Sequence, residues 1–405
     1  MANHVTRLIA TLQNAGFEAY IVGGAIRDLL LGRTPKDYDI STAATPEEVR
    51  NIFGRRHARI IGKRFRLVHL QYGQELFEVS TFRQAPTLGH LRPDGRVAEN
   101  LPENMILSDN EFGSAEEDAW RRDFTVNALF YDPVRSEIID YTGQGVNDIR
   151  AGIVRAIGEA KLRFEEDPVR MLRALKLVGQ YDFALDSATE NALFNNLELI
   201  RHASGSRLSL ELEKILCSSY GDRHLLAFHD YGLLKYFLPE LEKSWATSTG
   251  RYAMNLFNER NCRVAEGLYR NSISLAIATL ALPFVEQENQ SKVGELWEMS
   301  PESTTIIKEV LSYLFRPQIM MNRVIESAQR ILILQPLFAD PQNLDRMIGT
   351  KSYSHARELL LIRTAVHDED VNAAARLWPV GNAERRSTKR RRRRGTRGKR
   401  KPAND

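Results

Sequence analysis

Glu18–Asp39 reads EAYIVGGAIRDLLLGRTPKDYD, and Ile40-Ser41-Thr42 continues it. AYIV is an apolar run suited to a strand. Gly23 and Gly24 follow, then a short helix-compatible run, AIRDLLLG, and then two carboxylates one residue apart, Asp37 and Asp39. Glycines at a strand-to-helix turn let backbone N–H groups approach a phosphate, and the helix N-terminus adds positive potential. If DYDIS is a strand, both aspartates point to one face, with Cα atoms roughly 6.5 Å apart. Side-by-side carboxylates repel unless a cation sits between them, and converging hard oxygens suit Mg²⁺. Taken alone, the DxD tripeptide also reads as solvent-facing, or as paired with Lys36 or Arg33. The glycine turn, with Gly24 13 residues before Asp37, makes the arrangement specific.

Around this unit the first 150 residues mix strands and helices. HARII, FRLVHLQY and ELFEVSTF are rich in β-formers, and Tyr72-Gly73-Gln74 predicts a hairpin turn between the last two. Residues 85–113 have little periodicity and many turn formers, which predicts a long loop. Ser114-Ala115-Glu116-Glu117 is a capping-box pattern, and EEDAWRRDFTVNALFY is expected to continue as one helix. From about 160 to 375, EDPVRMLRALKLVGQY, SRLSLELEKILCSSY, AFHDYGLLKYFLPEL and TTIIKEVLSYLF place apolar residues at spacings of three and four, predicting helices.

Composition limits the alternatives. With 405 residues and 43% hydrophobic content, the chain can bury a core in about two or three domains. No apolar run reaches the roughly 18 residues of a membrane helix. The nearest, residues 273–285, contains Pro283 and reads as a buried helix. The N-terminus lacks the apolar core of a signal peptide and reads as an amphipathic helix. Cys217 and Cys262 form neither a disulfide framework nor a zinc site, and are expected to be buried thiols in a reducing cytoplasm. Net charge is +4, but Arg385–Lys401 holds 12 of the 56 basic residues. Without residues 385–405 there remain 44 basic and 51 acidic residues, a net of −7. Such a run has nothing to bury and is expected to be a disordered, phosphate-binding arm rather than a mere solubilising tail.

Gly23–Asp39 closely resembles the opening motif of the class II branch of the nucleotidyltransferase superfamily, which holds bacterial poly(A) polymerases and the enzymes that add CCA to tRNA. The resemblance covers residues of about 15 to 220. It implies that Gly23, Gly24 and the nearby Arg27 bind the nucleotide triphosphate. It also implies that Asp37 and Asp39 hold catalytic metal, with Glu78 from the hairpin as a candidate third acid. Arg121–Leu129, RRDFTVNAL, matches the family's second motif. There Arg122, Asp123 and Asn127 offer both donors and acceptors to a ribose hydroxyl and a phosphate. Helix-surface ion pairing is the plainer alternative. Glu166–Arg170, EDPVR, matches the third, in which Asp167 and Arg170 would read the base edge while Arg163 and Arg173 flank the site. The plainer alternative is a local salt bridge. Arg207 and Glu211 resemble the last shared motif and are expected to buttress helices.

Ile60–Leu70, IIGKRFRLVHL, resembles the bacterial poly(A) polymerase signature, where CCA-adding relatives usually carry Gly-Thr in place of Phe-Arg. Lys63, Arg64 and Arg66 would then line the site. The polymerases of this family carry a longer segment before the paired glycines. The implied fold is α+β: a small mixed-sheet nucleotidyltransferase head over 1–150, an all-helical neck over 151–220 that reads the base, a helical RNA-binding body over 221–380 and a disordered basic tail over 381–405, with Arg390, Arg391, Arg392, Arg393 and Arg394 on RNA. The implied activity is template-independent addition of AMP from ATP to RNA 3′ ends with two Mg²⁺ ions. Unidentified RNA-decay proteins are further partners under this reading. A CCA-adding enzyme, a non-catalytic RNA-binding homologue and a small-molecule nucleotidyltransferase are the alternatives.

Overall fold

The computed structural model describes residues 3–62, 66–73, 75–84 and 112–381. Lys63, Arg64, residues 85–111 of the loop expected over 85–113, and the polybasic segment with Arg390, Arg391, Arg392, Arg393 and Arg394 lie outside these residues. The chain packs as two units, residues 1–203 and 204–405.

In the first unit α1 (Asn3–Asn14) precedes β1 (Ala19–Val22), α2 (Gly24–Leu30), β2 (Asp39–Thr42), α3 (Pro46–Phe53), β3 (Ala58–Ile61), β4 (Leu67–Tyr72) and β5 (Glu75–Thr81). Next come α4 (Ala115–Trp120), a 3₁₀ turn (Thr125–Asn127), β6 (Phe130–Asp132), β7 (Glu137–Ile139), α5 (Gly145–Ala151) and β8 (Ile153–Val154). The unit closes with α6 (Ala160–Glu166), α7 (Val169–Tyr181), β9 (Ala184–Leu185) and α8 (Ser187–Asn196). Seven strands form one mixed sheet in the order β3-β4-β5-β2-β1-β6-β7. Only β2 and β5 run parallel within it. β1 lies inside the sheet between β2 and β6, and all four of its residues are buried. On one face of the sheet Tyr20, Val22 and Phe130 pack with Phe82 and with Ala115 and Ala119 of α4. The small alanines let the helix approach the aromatic layer closely. β4 and β5 form the expected hairpin, with Tyr72 opposite Glu75 and Gly73 at φ +64°.

Two expected helices differ. EEDAWRRDFTVNALFY is not one helix: α4 ends at Trp120 and the chain turns into β6. Phe124, Thr125, Val126, Phe130 and Tyr131 are β-branched or aromatic and lose side-chain freedom in a helix. Here the same stretch bridges Phe124 to Ala156, and Thr125 N–H donates to Arg155 O at 3.0 Å. EDPVRMLRALKLVGQY breaks at Asp167, whose backbone is extended because a residue before proline disfavours the helical region.

The second unit is helical: α9 (Gly205–Leu216), α10 (Gly221–Asp230), α11 (Leu234–Phe237), α12 (Pro239–Ser244), α13 (Ser248–Ala265), α14 (Ile273–Glu288), α15 (Ser303–Leu314), α16 (Asn322–Ile333), α17 (Leu344–Met347), α18 (Tyr353–Val366) and α19 (Val371–Leu377). AFHDYGLLKYFLPEL spans three of these. Gly232 at φ +70° interrupts the run after α10, and Pro239 opens α12. α14 is apolar all round and buried from Ser274 to Glu286, as a core helix should be. Among the described residues no helix is long and apolar enough to cross a membrane. Cys217 and Cys262 are exposed rather than buried, because each falls on the outward side of its helix end.

At the end of α14 the carboxylate of Glu286 is fully buried. One oxygen accepts from Gly294 N–H at 2.7 Å; the other has no hydrogen bond and lies 3.8 Å from Arg363 Nη2. Burial outweighs the Arg363 charge and pushes this carboxyl up to about 7. Its folded pKa therefore exceeds the unfolded one, so the folded state binds the extra proton between roughly pH 4.5 and 7. Glu286 favours folding fully below that window, and its contribution is lost as pH rises through it. Urea unfolding of wild type and Glu286→Gln across pH 4.5 to 8 should show wild type losing stability relative to the variant, by at most about 3 kcal/mol. Parallel curves would contradict this.

Candidate active site

Strand register brings the opening motif together. β1 and β2 pair antiparallel with Val22 opposite Asp39, so Asp39 stands beside the residue that precedes Gly23. β2 and β5 pair parallel with Ile40 opposite Val79. One residue back along both strands, Asp39 and Glu78 are neighbours. Ser41 and Ser80 confirm that the two strands share a face, because their hydroxyls lie 2.8 Å apart. Ile40 and Val79 alternate inward and are buried, while Asp37, Asp39 and Glu78 are exposed. Asp37 lies just before β2 rather than within it. The Asp39 carboxyl is raised to about 6, first by desolvation among its neighbours, then by the like charges of Asp37 and Glu78; Arg122 acts against both. Glu78 also faces His69 across the hairpin at 3.4 Å.

Among the described residues no three or more His, Cys, Asp or Glu side chains are grouped to hold a metal ion. The chemistry of the acids nonetheless fits a hard cation. Two carboxylates are electrostatically coupled on an accessible face, and their repulsion is what a divalent ion would relieve. Mg²⁺ takes few protein ligands and completes its shell with water and phosphate.

Gly23 adopts φ 76° and ψ −138°, a backbone region open almost only to glycine. A Cβ there would lie 3.2 Å from Arg122 Nη1, so the bare backbone makes room for the guanidinium. α2 has only seven residues, so Arg122 is the larger source of positive charge at this turn. Arg122 is itself fixed: Nη2 donates to Asp118 at 2.9 Å and Nη1 to the Asn127 carbonyl at 3.2 Å. Burial raises the Asp118 carboxyl, but Arg122 and Arg121 overcome it and hold the pKa below the usual carboxylate range. Arg122 Nε is buried without a partner.

The remaining motif residues of the first unit join this cluster. Arg27 is buried and donates to Asn127 Oδ1 at 2.6 Å. Asn127 Nδ2 donates to Asp123 Oδ1 at 3.3 Å. These two side chains meet across a 3₁₀ turn, not along the helix that the sequence suggested. Arg170 Nη1 donates to Glu166 at 2.8 Å and to the Arg163 carbonyl at 2.8 Å. Asp167 and Arg170 are both buried. Arg163 bonds Glu166 at 2.5 Å and both the Arg121 and Arg122 carbonyls at 2.6 and 2.7 Å. It ties the RRD segment to the EDPVR segment instead of facing outward. Arg173 does lie at the rim, 3.7 Å from Asp123. Arg66 is exposed and pairs with Glu47. In the second unit, Glu211 is buried and accepts from Lys214 at 2.8 Å, while Arg207 is exposed on the same helix.

Two contributors were not singled out from sequence. Asp118 stands three and four residues before Arg121 and Arg122, a helical pairing spacing that could have found it. Tyr181 acts through contacts with Arg27 and Asp28, more than 150 residues away in the chain, which no local pattern reports.

Residues 19–155 match the family model of the poly A polymerase head domain, and residues 182–244 match one described as a probable RNA and SrmB-binding site of polymerase A. Over these two segments the chain is similar to the nucleotidyltransferase superfamily that contains poly(A) polymerases and CCA-adding enzymes. It is 37% identical to poly(A) polymerase I of Haemophilus influenzae over 290 residues, 71% of this chain and 63% of that one. The match to poly(A) polymerase I of Escherichia coli O157:H7 is 35% over 294 residues, 71% of this chain and 61% of that one. The CCA-adding enzyme of Geobacillus stearothermophilus is 39% identical over 235 residues, 58% of this chain and 54% of the relative. The aligned segment thus spans less than two thirds of each relative. A crystal structure of the Bacillus stearothermophilus CCA-adding enzyme in complex with CTP superposes with TM-score 0.59 and 26% identity, covering 93% of this chain and 83% of that one.

Proposed function

We propose that the chain is a template-independent polynucleotide adenylyltransferase that transfers AMP from ATP to RNA 3′ ends in the cytoplasm and releases pyrophosphate. The observation that carries this reading is the crowding of Asp37, Asp39 and Glu78 beside the Gly23 turn, with Arg122 pressed against the same backbone. Such a site suits an anion bridged to carboxylates through a cation. Asp37 and Asp39 would hold two Mg²⁺ ions, which when bound supply Lewis-acid activation of a hydroxyl and neutralise a leaving pyrophosphate.

The protein's own groups supply position and charge. The Gly23 backbone and Arg122 hold the triphosphate, and Asp123, Asn127 and Arg27 form a donor–acceptor set for the ribose. Asp167 and Arg170 present an acceptor and a forked donor to the base, with Arg170 pre-oriented by Glu166. The RNA 3′-oxygen bonds to the α-phosphorus as the bond to pyrophosphate breaks. Most of the acceleration then comes from alignment and preorganised charge. Lys63, Arg64 and Arg66 belong to the RNA side of this reading, and Arg207 and Glu211 to the scaffold.

Poly(A) polymerase I relatives align over 71% of this chain and the CCA-adding relative over 58%, which favours the polymerase. CCA addition is the second reading, supported by the likeness to CCA-adding enzymes in both sequence and fold. Incubation of the full chain with an RNA primer, Mg²⁺ and ATP, CTP or both separates them. A ladder with ATP alone is expected; two CMP additions with CTP, extended by one AMP only when ATP is also present, would establish CCA addition instead. Asp39→Asn should lower incorporation at least about 100-fold while RNA binding stays intact. A variant retaining a tenth of wild-type activity would remove Asp39 from this role.

The polybasic segment would hold RNA through phosphates irrespective of sequence. Removing residues 385–405 should weaken RNA binding and flatten its salt dependence without ending catalysis. An unchanged salt slope would exclude the arm.

A further inference from the structure

We propose that Tyr181 is a positioning residue that ties the glycine-turn helix to the base-reading helix and thereby sets affinity and selectivity for the incoming nucleotide. This rests on the nucleotidyl-transfer reading above.

Tyr181 is the last residue of α7, the helix that carries Arg170 near its start, and it is 8% exposed. Its hydroxyl accepts from Arg27 Nη2 at 2.6 Å and from Gln180 Nε2 at 3.0 Å, and donates to Asp28 Oδ1 at 2.7 Å. The Arg27 guanidinium lies 4.3 Å from the ring centroid and that of Arg33 lies 4.7 Å from it. Arg33 Nη1 also donates to the Gln180 carbonyl at 3.4 Å. One aromatic side chain therefore engages Arg27 and Asp28 of α2 and Arg33 just beyond it. Burial, the largest influence, and the bond to Asp28 push the phenol up to about 12 against the charge of Arg27. At neutral pH it is a fixed donor to Asp28.

The contacts continue on both sides. Arg27 Nη2 lies where a Cβ on Gly24 would be only 3.1 Å away, so the guanidinium packs under the second glycine. Its Nη1 reaches Asn127, and Asn127 reaches Asp123. Asp123 faces Arg173, which is again on α7. The path starts and ends on one helix and passes through the triphosphate turn and the ribose set. Asp28 Oδ1 takes three donors: Arg27 Nε at 3.1 Å, Arg27 Nη2 at 2.8 Å and the Tyr181 hydroxyl. Deleting the hydroxyl leaves Arg27 with its bonds to Asp28 and Asn127 and its place over the ring, but removes the hydrogen bonds that tie Arg27 and Asp28 to α7. The fold should survive, and the distance between triphosphate turn and base reader should loosen.

The test uses the full chain with Tyr181→Phe and Tyr181→Leu. Steady-state AMP and CMP incorporation into an RNA primer, calorimetric binding of ATP and thermal melting would be measured for each. Tyr181→Phe keeps the ring and loses only the hydroxyl. Its KM and Kd for ATP should rise about threefold to tenfold, with kcat at saturating ATP within about twofold of wild type and a smaller ATP-over-CTP preference. Tyr181→Leu should move the same quantities further; if it fails to fold, Tyr181→Phe decides alone. A Tyr181→Phe protein with wild-type KM, Kd and nucleotide preference overturns the proposal, even if its melting temperature falls, since Tyr181 would then be structural only. A wild-type chain that binds ATP but transfers no nucleotide sinks the function reading, while the Kd comparison still judges Tyr181. A wild-type chain that binds no ATP sinks both.

Discussion

Repulsion among carboxylates held at one place on the central sheet is the constraint on which the first unit's chemistry depends. Asp39 cannot move away from Glu78, because the parallel pairing of β2 and β5 fixes both by backbone hydrogen bonds and buries Ile40 and Val79 on the opposite face. A one-residue slip would turn the acids inward and the isoleucine outward, at the cost of the core. The fold thus holds a charge arrangement that is unfavourable by itself: the Asp39 carboxyl is raised to about 6 first by desolvation and then by the like charges of Asp37 and Glu78. Folding energy from apolar burial is spent locally to keep two like charges close.

The positive side of the site is organised differently. Arg122, Arg163, Arg170 and Arg27 are buried or half-buried, and each is fixed by at least two acceptors. Several of those acceptors are main-chain carbonyls, so the guanidinium groups keep charge that is not fully cancelled by acids. Such fixed donors lose little entropy on meeting an anion, which is what preorganisation requires. Arg163 links two motifs that lie 40 or more residues apart in the chain, and Tyr181 links two others. The three motifs are one mechanical object built around α7.

Much of this was legible in the chain. The apolar run AYIV and the alternation in DYDIS and ELFEVSTF reported buried faces directly, and Gly23 marked a backbone shape open almost only to glycine. The motif residues from Gly23 to Arg170 were named in advance because their spacing is local. Other features were not local. Asp123 and Asn127 are neighbours as expected, but across a turn, since β-branched and aromatic residues after Trp120 prefer the extended pairing with Ala156. The exposure of Cys217 and Cys262 depends on which way a helix end faces, which hydrophobic periodicity at the end of a helix leaves undetermined. Tyr181 reads in sequence as one more apolar position on an amphipathic helix. Only the tertiary fold brings Arg27 and Asp28 to its hydroxyl.

The most direct measurement is a crystal structure of the full chain with Mn²⁺ and a non-hydrolysable ATP analogue, using the anomalous signal of manganese. A manganese peak coordinated by the carboxylates of Asp37 and Asp39, with the triphosphate against Gly23 and Arg122, is the predicted result. A triphosphate bound elsewhere, or manganese absent from those two side chains while the nucleotide is bound, would contradict the account.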